Sequence, residues 1–378
     1  MFATIIKLVM LAMITNLAFK PIFASLSIYS GYILILCSYA LPFCAFKVPL
    51  NPRCRVGGIC VILLTLVVLA GVLLNRSVIG FDLIKNILSF LCTYYAIALE
   101  PQRFTKRDLK HFVFICKMLS VLLIMYAYLP FSFRYPVVNE WGGTQFTMGL
   151  GNQNATSITI MFCISILLVG CICFPSVKNR LVSYVMIIAL TGALVKLQCR
   201  TVVACCILMF FLYLFKSIRP RRYMAFIAMI VPIAFLFVQM WLGTLDSDME
   251  IMGKSIATGR QDLFADALQL MQENPLDYLL GSLGKHQLMN IHNAPITIIA
   301  NFGVIGFLVY WLFWSVELNG LIDQRMKPSM QRFAIFALLI FILHSAAEAG
   351  VMIGSSMYGT QLVIIARLAK DDFAVIHS

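Results

Sequence analysis

Residues 255–314 read SIATGRQDLFADALQLMQENPLDYLLGSLGKHQLMNIHNAPITIIANFGVIGFLVYWLFW. A polar, partly amphipathic segment ends at His292-Asn293, and a long apolar run starts at once with Ala294-Pro295-Ile296. A run of that length matches the roughly 20 apolar residues a helix needs to cross a bilayer. The switch therefore puts Arg260 and His292 in one loop that closes against a membrane face, with the rest of the chain as its wall and floor.

The bulk composition agrees. The chain has 378 residues, of which 61% are hydrophobic and only 12% charged, and its mean hydropathy is +0.92. Soluble domains carry about 25% charged residues, so the expected class is an all-α polytopic membrane protein. Lys and Arg number 29 against 16 Asp and Glu, a net charge of +13. In such a chain the excess marks loops that face anionic headgroups on the cytoplasmic side, rather than a nucleic-acid partner. All 12 cysteines fall at or before Cys206, mostly in apolar runs. They read as small apolar residues, since Cys171-Ile172-Cys173 has no matching pair of metal ligands. Lys7 interrupts the first apolar run, so a signal-peptide pattern is not expected.

Twelve candidate spans follow, near 3–19, 22–46, 56–74, 81–99, 111–129, 155–174, 180–197, 201–216, 223–242, 294–316, 331–350 and 351–369. Basic residues crowd the short connections after every second span: Lys47, Arg53 and Arg55; Arg103, Lys106, Arg107 and Lys110; Lys178 and Arg180; Lys216, Arg219, Arg221 and Arg222; Arg325, Lys327 and Arg332. The alternate connections are longer and sparser in positive charge. The bias puts the first set and both termini in the cytoplasm, and the loops 130–154 and 243–291 outside. Arg200, Arg260, His292, Asn152 and Asn154 then all fall on one outer face. No internal repeat is visible, so 1–378 reads as a single integral membrane domain.

Local signals organise the 243–291 loop. Thr258-Gly-Arg-Gln261 has the form of a capping box. Leu263, Phe264, Ala267, Leu268, Leu270 and Met271 recur at helical spacing, so a short amphipathic helix is expected over about 259–273, its stripe on the bilayer or the bundle. Pro275 disfavours helical geometry at Asn274 and ends it. Arg260 lies in the first turn, where the helix dipole favours an anion; a cation there opposes the dipole and points to an anionic partner.

Each candidate residue has a plain reading beside the chemical one. Arg200 in Gln198-Cys-Arg-Thr201 is either an interfacial anchor or a fork that grips phosphate oxygens at two points. Arg260 is a solvated loop charge or a second such fork. His292 is a surface imidazole or a general base that titrates near neutral pH. Asp246, Asp248 and Glu250 could hold a divalent cation, yet no other ligand cluster accompanies them, and a flexible acidic turn is the better reading. His344 and Glu348 stand one helical turn apart near the outer end of the eleventh span, where ionisable groups usually face an interior. They either satisfy each other or orient a catalytic group. Asn154-Ala-Thr156 fits a glycosylation acceptor, a motif short enough to arise by chance.

With these residues in view, the chain resembles the O-antigen polymerase and O-antigen ligase superfamily of bacterial envelope glycosyltransferases. The resemblance rests on Gly151-Asn-Gln-Asn154 before a span, Cys199-Arg200-Thr201 opening a later one, Thr258-Gly-Arg260 followed by Glu273-Asn-Pro-Leu276, and His292-Asn293 leading into Asn301-Phe-Gly-Val-Ile-Gly306. It covers about 150–316. A serine usually precedes the family's arginine before the span; Cys199 stands there here.

The resemblance implies a class C glycosyltransferase-like fold in the bacterial inner membrane, with a periplasmic site and a glycan on undecaprenyl diphosphate as donor. Arg200 and Arg260 would bind the diphosphate and His292 would assist the attacking hydroxyl, with inversion and without metal or cofactor. Asn152, Asn154, Asn293 and Glu348 would contact substrate beside them. The mostly apolar Ala294-Pro-Ile-Thr-Ile298 favours polymerase over ligase, and a chain-length-regulating copolymerase is a possible partner. A lipid-linked oligosaccharide flippase is the alternative of another class; its kind tends to show repeated halves and helices broken near the bilayer midplane. The expected topology is tested by introducing cysteines at Arg76, Arg134, Lys254 and Lys285 in a background without native cysteines. These positions should react with an impermeant thiol reagent in intact cells, whereas protection there with labelling at Arg107 and Arg221 would invert the assignment.

Overall fold

The computed structural model describes residues 2–19, 32–33, 35–37, 39–41, 52–74, 80–99, 104–129, 137–138, 144–148, 150, 153–243, 250–251, 254–255, 265–267, 269, 275–282, 292–322, 329–353 and 356–370. The chain is an all-α, multi-pass membrane protein. Its helices are α1 Phe2–Phe19, α2 Pro52–Leu74, α3 Phe81–Ala98, α4 Lys106–Tyr128, α5 Gln153–Cys173, α6 Val177–Lys196, α7 Arg200–Leu214, α8 Arg222–Gly243, α9 Pro275–Leu280, α10 Ala294–Ile322, α11 Ser329–His344 and α12 Ser356–Lys370. Two small antiparallel ribbons complete it, Val137–Val138 with Thr144–Gln145 and Glu250–Ile251 with Lys254–Ser255.

Among the described residues five helical stretches are long and apolar enough to cross a membrane: Val56–Leu74, Lys106–Tyr128, Gln153–Cys173, Val177–Lys196 and Ala294–Ile322. Shorter apolar helices are Phe2–Ala18, Leu83–Ala98, Arg200–Leu214, Arg222–Val238 and Ser329–His344. Most of the expected 22–46 span lies outside the described residues.

Several boundaries follow from local chemistry. Thr105 caps α4: its hydroxyl accepts from Asp108 N at 3.1 Å while Asp108 Oδ2 accepts from Thr105 N at 3.0 Å. This capping box saves two backbone donors from going unpaired. The Asp108 carboxylate also pairs with Lys7, tying α1 to α4. Ser176 caps α6 through Asn179 N. Pro275 opens α9 rather than only closing what precedes it; its missing N–H and fixed φ suit a first helical position.

The bundle has an inside and a lipid side. Burial covers 89% of the α5 window but 28% of that of α6, which makes α5 a central helix and α6 a peripheral one. Helix α11 is buried along almost its whole length and packs on α5, α7, α8 and α12. Polar side chains inside the bundle bond to the chain itself, as a medium without water demands: Ser165 Oγ donates to Phe162 O at 2.7 Å, and Gln361 Nε2 to Thr159 Oγ1 at 3.3 Å. At one end of the bundle Lys370 pairs with Glu317 at 2.6 Å and donates to Ile97 O at 2.6 Å, joining α12, α10 and α3.

Two expected spans are corrected. Residues 294–316 are not one continuous helix: Gly303 within α10 has φ 69° and ψ −179°, which breaks it into two pieces. Gly281 faces this break with φ 86°. A Cβ on Gly303 would sit 2.1 Å from Leu279 O, and one on Gly281 would sit 2.2 Å from Asn301 O. The end of α9 and the break in α10 therefore meet backbone to backbone, and Ser282 N donates to Ala300 O at 2.9 Å. The second correction concerns 331–350, where α11 stops at His344 and a run of turns carries the chain to α12. Ala294 N donates to Ser345 O at 2.9 Å, so the start of α10 takes the carbonyl group that follows the helix.

Gly303→Ala should destabilise the protein by about 3 kcal/mol or more, since it combines a left-handed φ with backbone overlap. Gly320→Ala, whose Cβ meets nothing within 4 Å, should leave stability unchanged or slightly raised. The temperature at which detergent-solubilised protein loses its monodisperse peak measures both.

Candidate functional site

The chain turns into α10 through Asn293, whose sequence context Asn293-Ala-Pro295 is that of an N-cap. Its Oδ1 accepts from Ile296 N at 3.2 Å, while Nδ2 donates to Pro232 O at 2.7 Å and to Ala346 O at 3.2 Å. An asparagine amide offers one acceptor group and two N–H donors. All are engaged by backbone, and the residue is fully buried. Asn293, expected to face substrate, is instead the joint between α8, α10 and the turns after α11.

Because Pro232 lies about halfway along the 22-residue α8, the joint sits about 16 Å below that helix's far end at 1.5 Å per residue. His292 stands next to this joint, and the second half of α8 runs on past it. Its backbone φ is 55°, a left-handed conformation that costs a non-glycine residue roughly 1–2 kcal/mol. The capped helix behind it holds that geometry and turns the imidazole toward Glu348. His292 Nδ1 lies 2.9 Å from Glu348 Oε2, with the histidine side chain 31% exposed and the glutamate 8%.

The same Glu348 oxygen accepts from Asn154 Nδ2 at 3.0 Å. Asn154 sits in the first turn of α5, and its Oδ1 is 3.9 Å from Cys199 Sγ, a thiol that also reaches Gln153 O at 3.6 Å. Cys199 immediately precedes Arg200, the first residue of α7. Gln198, one residue earlier, also has a positive φ of 54°, so the chain reaches Arg200 through a tight turn. Four segments thus converge at one end of the bundle: the starts of α5, α7 and α10 and the turns after α11.

Of the residues singled out in the sequence, the structure brings together Arg200's immediate neighbour Cys199, Asn154, Glu348 and His292. Arg260 and Asn152 lie outside the described residues, as do Asp246, Asp248 and the Thr258–Gln261 capping box. Of the expected 259–273 helix, residues 265–267 and 269 are helical. Ala267 is buried against Ile296 and Ala300 of α10, with Leu236 and Met240 of α8 beside it, so the apolar stripe there meets the bundle. Glu348 turns to His292, which favours the orienting reading over a pairing with His344 alone. Among the described residues no group of three His, Cys, Asp or Glu side chains is placed to hold a metal ion.

Sequence reasoning missed the contribution of α8. The carbonyl of Pro232 that holds Asn293 has no signature in the chain. It also missed Tyr94, whose hydroxyl donates to Met352 O at 2.8 Å and fixes the far end of the turns that carry Glu348. Trp314 Nε1 in turn donates to the Tyr94 hydroxyl at 3.2 Å. The Asn-Ala-Pro cap was open to recognition.

No protein-family model matches the chain, and neither a curated protein nor a solved structure does.

Asn293→Ala removes a helix cap and leaves two buried carbonyl groups with fewer donors. Unfolding in detergent should become easier by about 2–4 kcal/mol. Unchanged thermal stability would return Asn293 to the ligand-facing residues.

Proposed function

We propose that the chain is a membrane glycosyltransferase that polymerises lipid-linked glycan repeats, moving a growing glycan from undecaprenyl diphosphate to the free end of another lipid-linked repeat. The observation that carries the reading is the convergence of His292, Glu348 and Asn154 beside the turn that presents Arg200. An imidazole on a buried carboxylate is suited to accept a proton. An arginine at the adjoining helix start is suited to a diphosphate oxygen pair.

In this reading the acceptor hydroxyl gives its proton to His292 and its oxygen attacks the anomeric carbon. A new C–O bond forms as the bond to the diphosphate breaks, and the electron pair leaves on the polyprenyl diphosphate. Inversion follows from attack opposite the leaving group. Arg200, joined by Arg260, would counter the charge gathering on that group in a low-dielectric crevice, without recourse to a metal. The finer features go with the proposal: twelve spans in a class C-like arrangement, the bacterial inner membrane, cytoplasmic termini, a periplasmic site and a chain-length-regulating copolymerase. A ligase acting on lipid A-core would use the same groups with another acceptor.

The break in α10 at Gly303 favours a second reading, a lipid-linked oligosaccharide flippase, because discontinuous helices often line transport sites. A deletion strain separates the three. Single repeats on the lipid core point to a lost polymerase, lipid-linked polymer without attached glycan to a lost ligase, and repeats trapped inside to a lost flippase. Within the polymerase reading, His292→Ala should lower turnover about 10²–10⁴-fold. Arg260→Ala should abolish elongation, and Arg200→Lys should be poorly tolerated, all with normal membrane insertion. Normal-length polymer in the His292 variant would remove proton transfer by His292 from the mechanism.

A further inference from the structure

We propose that Glu348 and Asn154 are positioning residues for His292: they fix the imidazole as its Nδ1–H tautomer and leave Nε2 as the nitrogen that accepts a proton from the acceptor hydroxyl. This rests on the glycan-transfer reading given above for its chemistry, though the tautomer itself does not.

Hydrogen-bond direction carries the assignment. Glu348 Oε2 receives Asn154 Nδ2–H at 3.0 Å and stands 2.9 Å from His292 Nδ1. An oxygen that already accepts one N–H and belongs to a carboxylate has only lone pairs to offer the second nitrogen. His292 Nδ1 must then carry the hydrogen, and in the neutral ring the lone pair is left on Nε2. Turned over, the Asn154 amide would set its oxygen against the carboxylate; in the observed orientation Oδ1 faces the Cys199 thiol at 3.9 Å, whose nearer acceptors are Leu197 O at 3.5 Å and Gln153 O at 3.6 Å. The line Cys199, Asn154, Glu348, His292 thus runs from the residue before Arg200 to the imidazole, across the starts of α5, α7 and α10.

The 8% exposure of Glu348 keeps water from competing for the pair. Other ionisable groups lie on the elements that meet there. His344 ends α11, Arg200 opens α7, and Tyr358 of α12 is near enough to Glu348 to interact with it electrostatically. Glu348 and Asn154, expected from the sequence to touch substrate, act here through His292 instead.

Two measurements test this. The first uses full-length protein labelled with ¹⁵N-histidine in liposomes, with the His292 signal identified by its loss in His292→Gln; there are 5 histidines to resolve. Near pH 8 it should show a protonated Nδ1 and an unprotonated Nε2. An Nε2–H tautomer would overturn the proposal whatever the enzyme does.

The second follows elongation of undecaprenyl-diphosphate-linked repeats extracted from a deletion strain. In Glu348→Gln kcat should fall about 10²-fold with KM within about threefold. Asn154→Ala should lower kcat in the same direction by less, and Cys199→Ser, which keeps a donor, should stay close to the native rate. A KM raised as much as kcat is lowered, or a native rate in Glu348→Gln while His292→Ala is inactive, would overturn the positioning role alone. An active His292→Ala would bring down the glycan-transfer reading, leaving the tautomer measurement to judge the rest.

Discussion

The arrangement depends on one buried amide. Asn293 caps α10 with its oxygen and donates from its nitrogen to the mid-length carbonyl of α8 and to a turn beyond α11. In a medium that offers no water, the α10 amide it caps would otherwise go unpaired, and the two carbonyl groups would each lose a donor, at a cost of several kcal/mol in all. One side chain therefore decides how deep α10 begins, and with it the depth of His292. The left-handed backbone of His292 and the turn that offers Glu348 are geometric results of that knot.

Short helices do the rest. At about 1.5 Å per residue, α7, α11 and α12, with 15, 16 and 15 residues, fall short of the roughly 30 Å of a hydrocarbon core. Beyond α11 the chain continues in turns whose carbonyl groups bond to neighbours: Ser345 O accepts from Ala294 N and Ala346 O from Asn293 Nδ2. A membrane protein tolerates irregular backbone at such depth where protein covers it. Tyr94, itself held by Trp314, supplies part of that cover through Met352 O. At the opposite end the Lys370–Glu317 pair gives α3, α10 and α12 a comparable anchorage.

Much of this was legible in the chain and some was not, for reasons that differ by residue. The membrane class and many helix limits follow from apolar length and from capping residues such as Thr105 and Ser176, which act over three or four positions. Charge bias between alternate connections sets Asn154, Arg200 and His292 on one expected face; in the structure Asn154 and His292 meet through Glu348, and Cys199, the residue before Arg200, faces Asn154. The break at Gly303 was not, since Asn301-Phe-Gly-Val-Ile-Gly306 keeps the hydropathy of a span and a single φ leaves no periodic trace. Nor was the stop at His344: Ser345-Ala-Ala-Glu-Ala349 suits a helix, and what ends it is a donor from Ala294 in another segment. Glu348 was seen as the neighbour of His344 at helical spacing, whereas its carboxylate belongs to a histidine 56 positions away.

The meeting of Gly281 with Gly303 bears on how a helix can be interrupted inside the bundle without leaving its ends loose. There α9 lies against α10 main chain to main chain, and a Cβ on Gly71 of α2 would come within 3.2 Å of Leu280 O. Three helices approach one another here through main chain, and any side chain larger than hydrogen at Gly281 or Gly303 would force them apart.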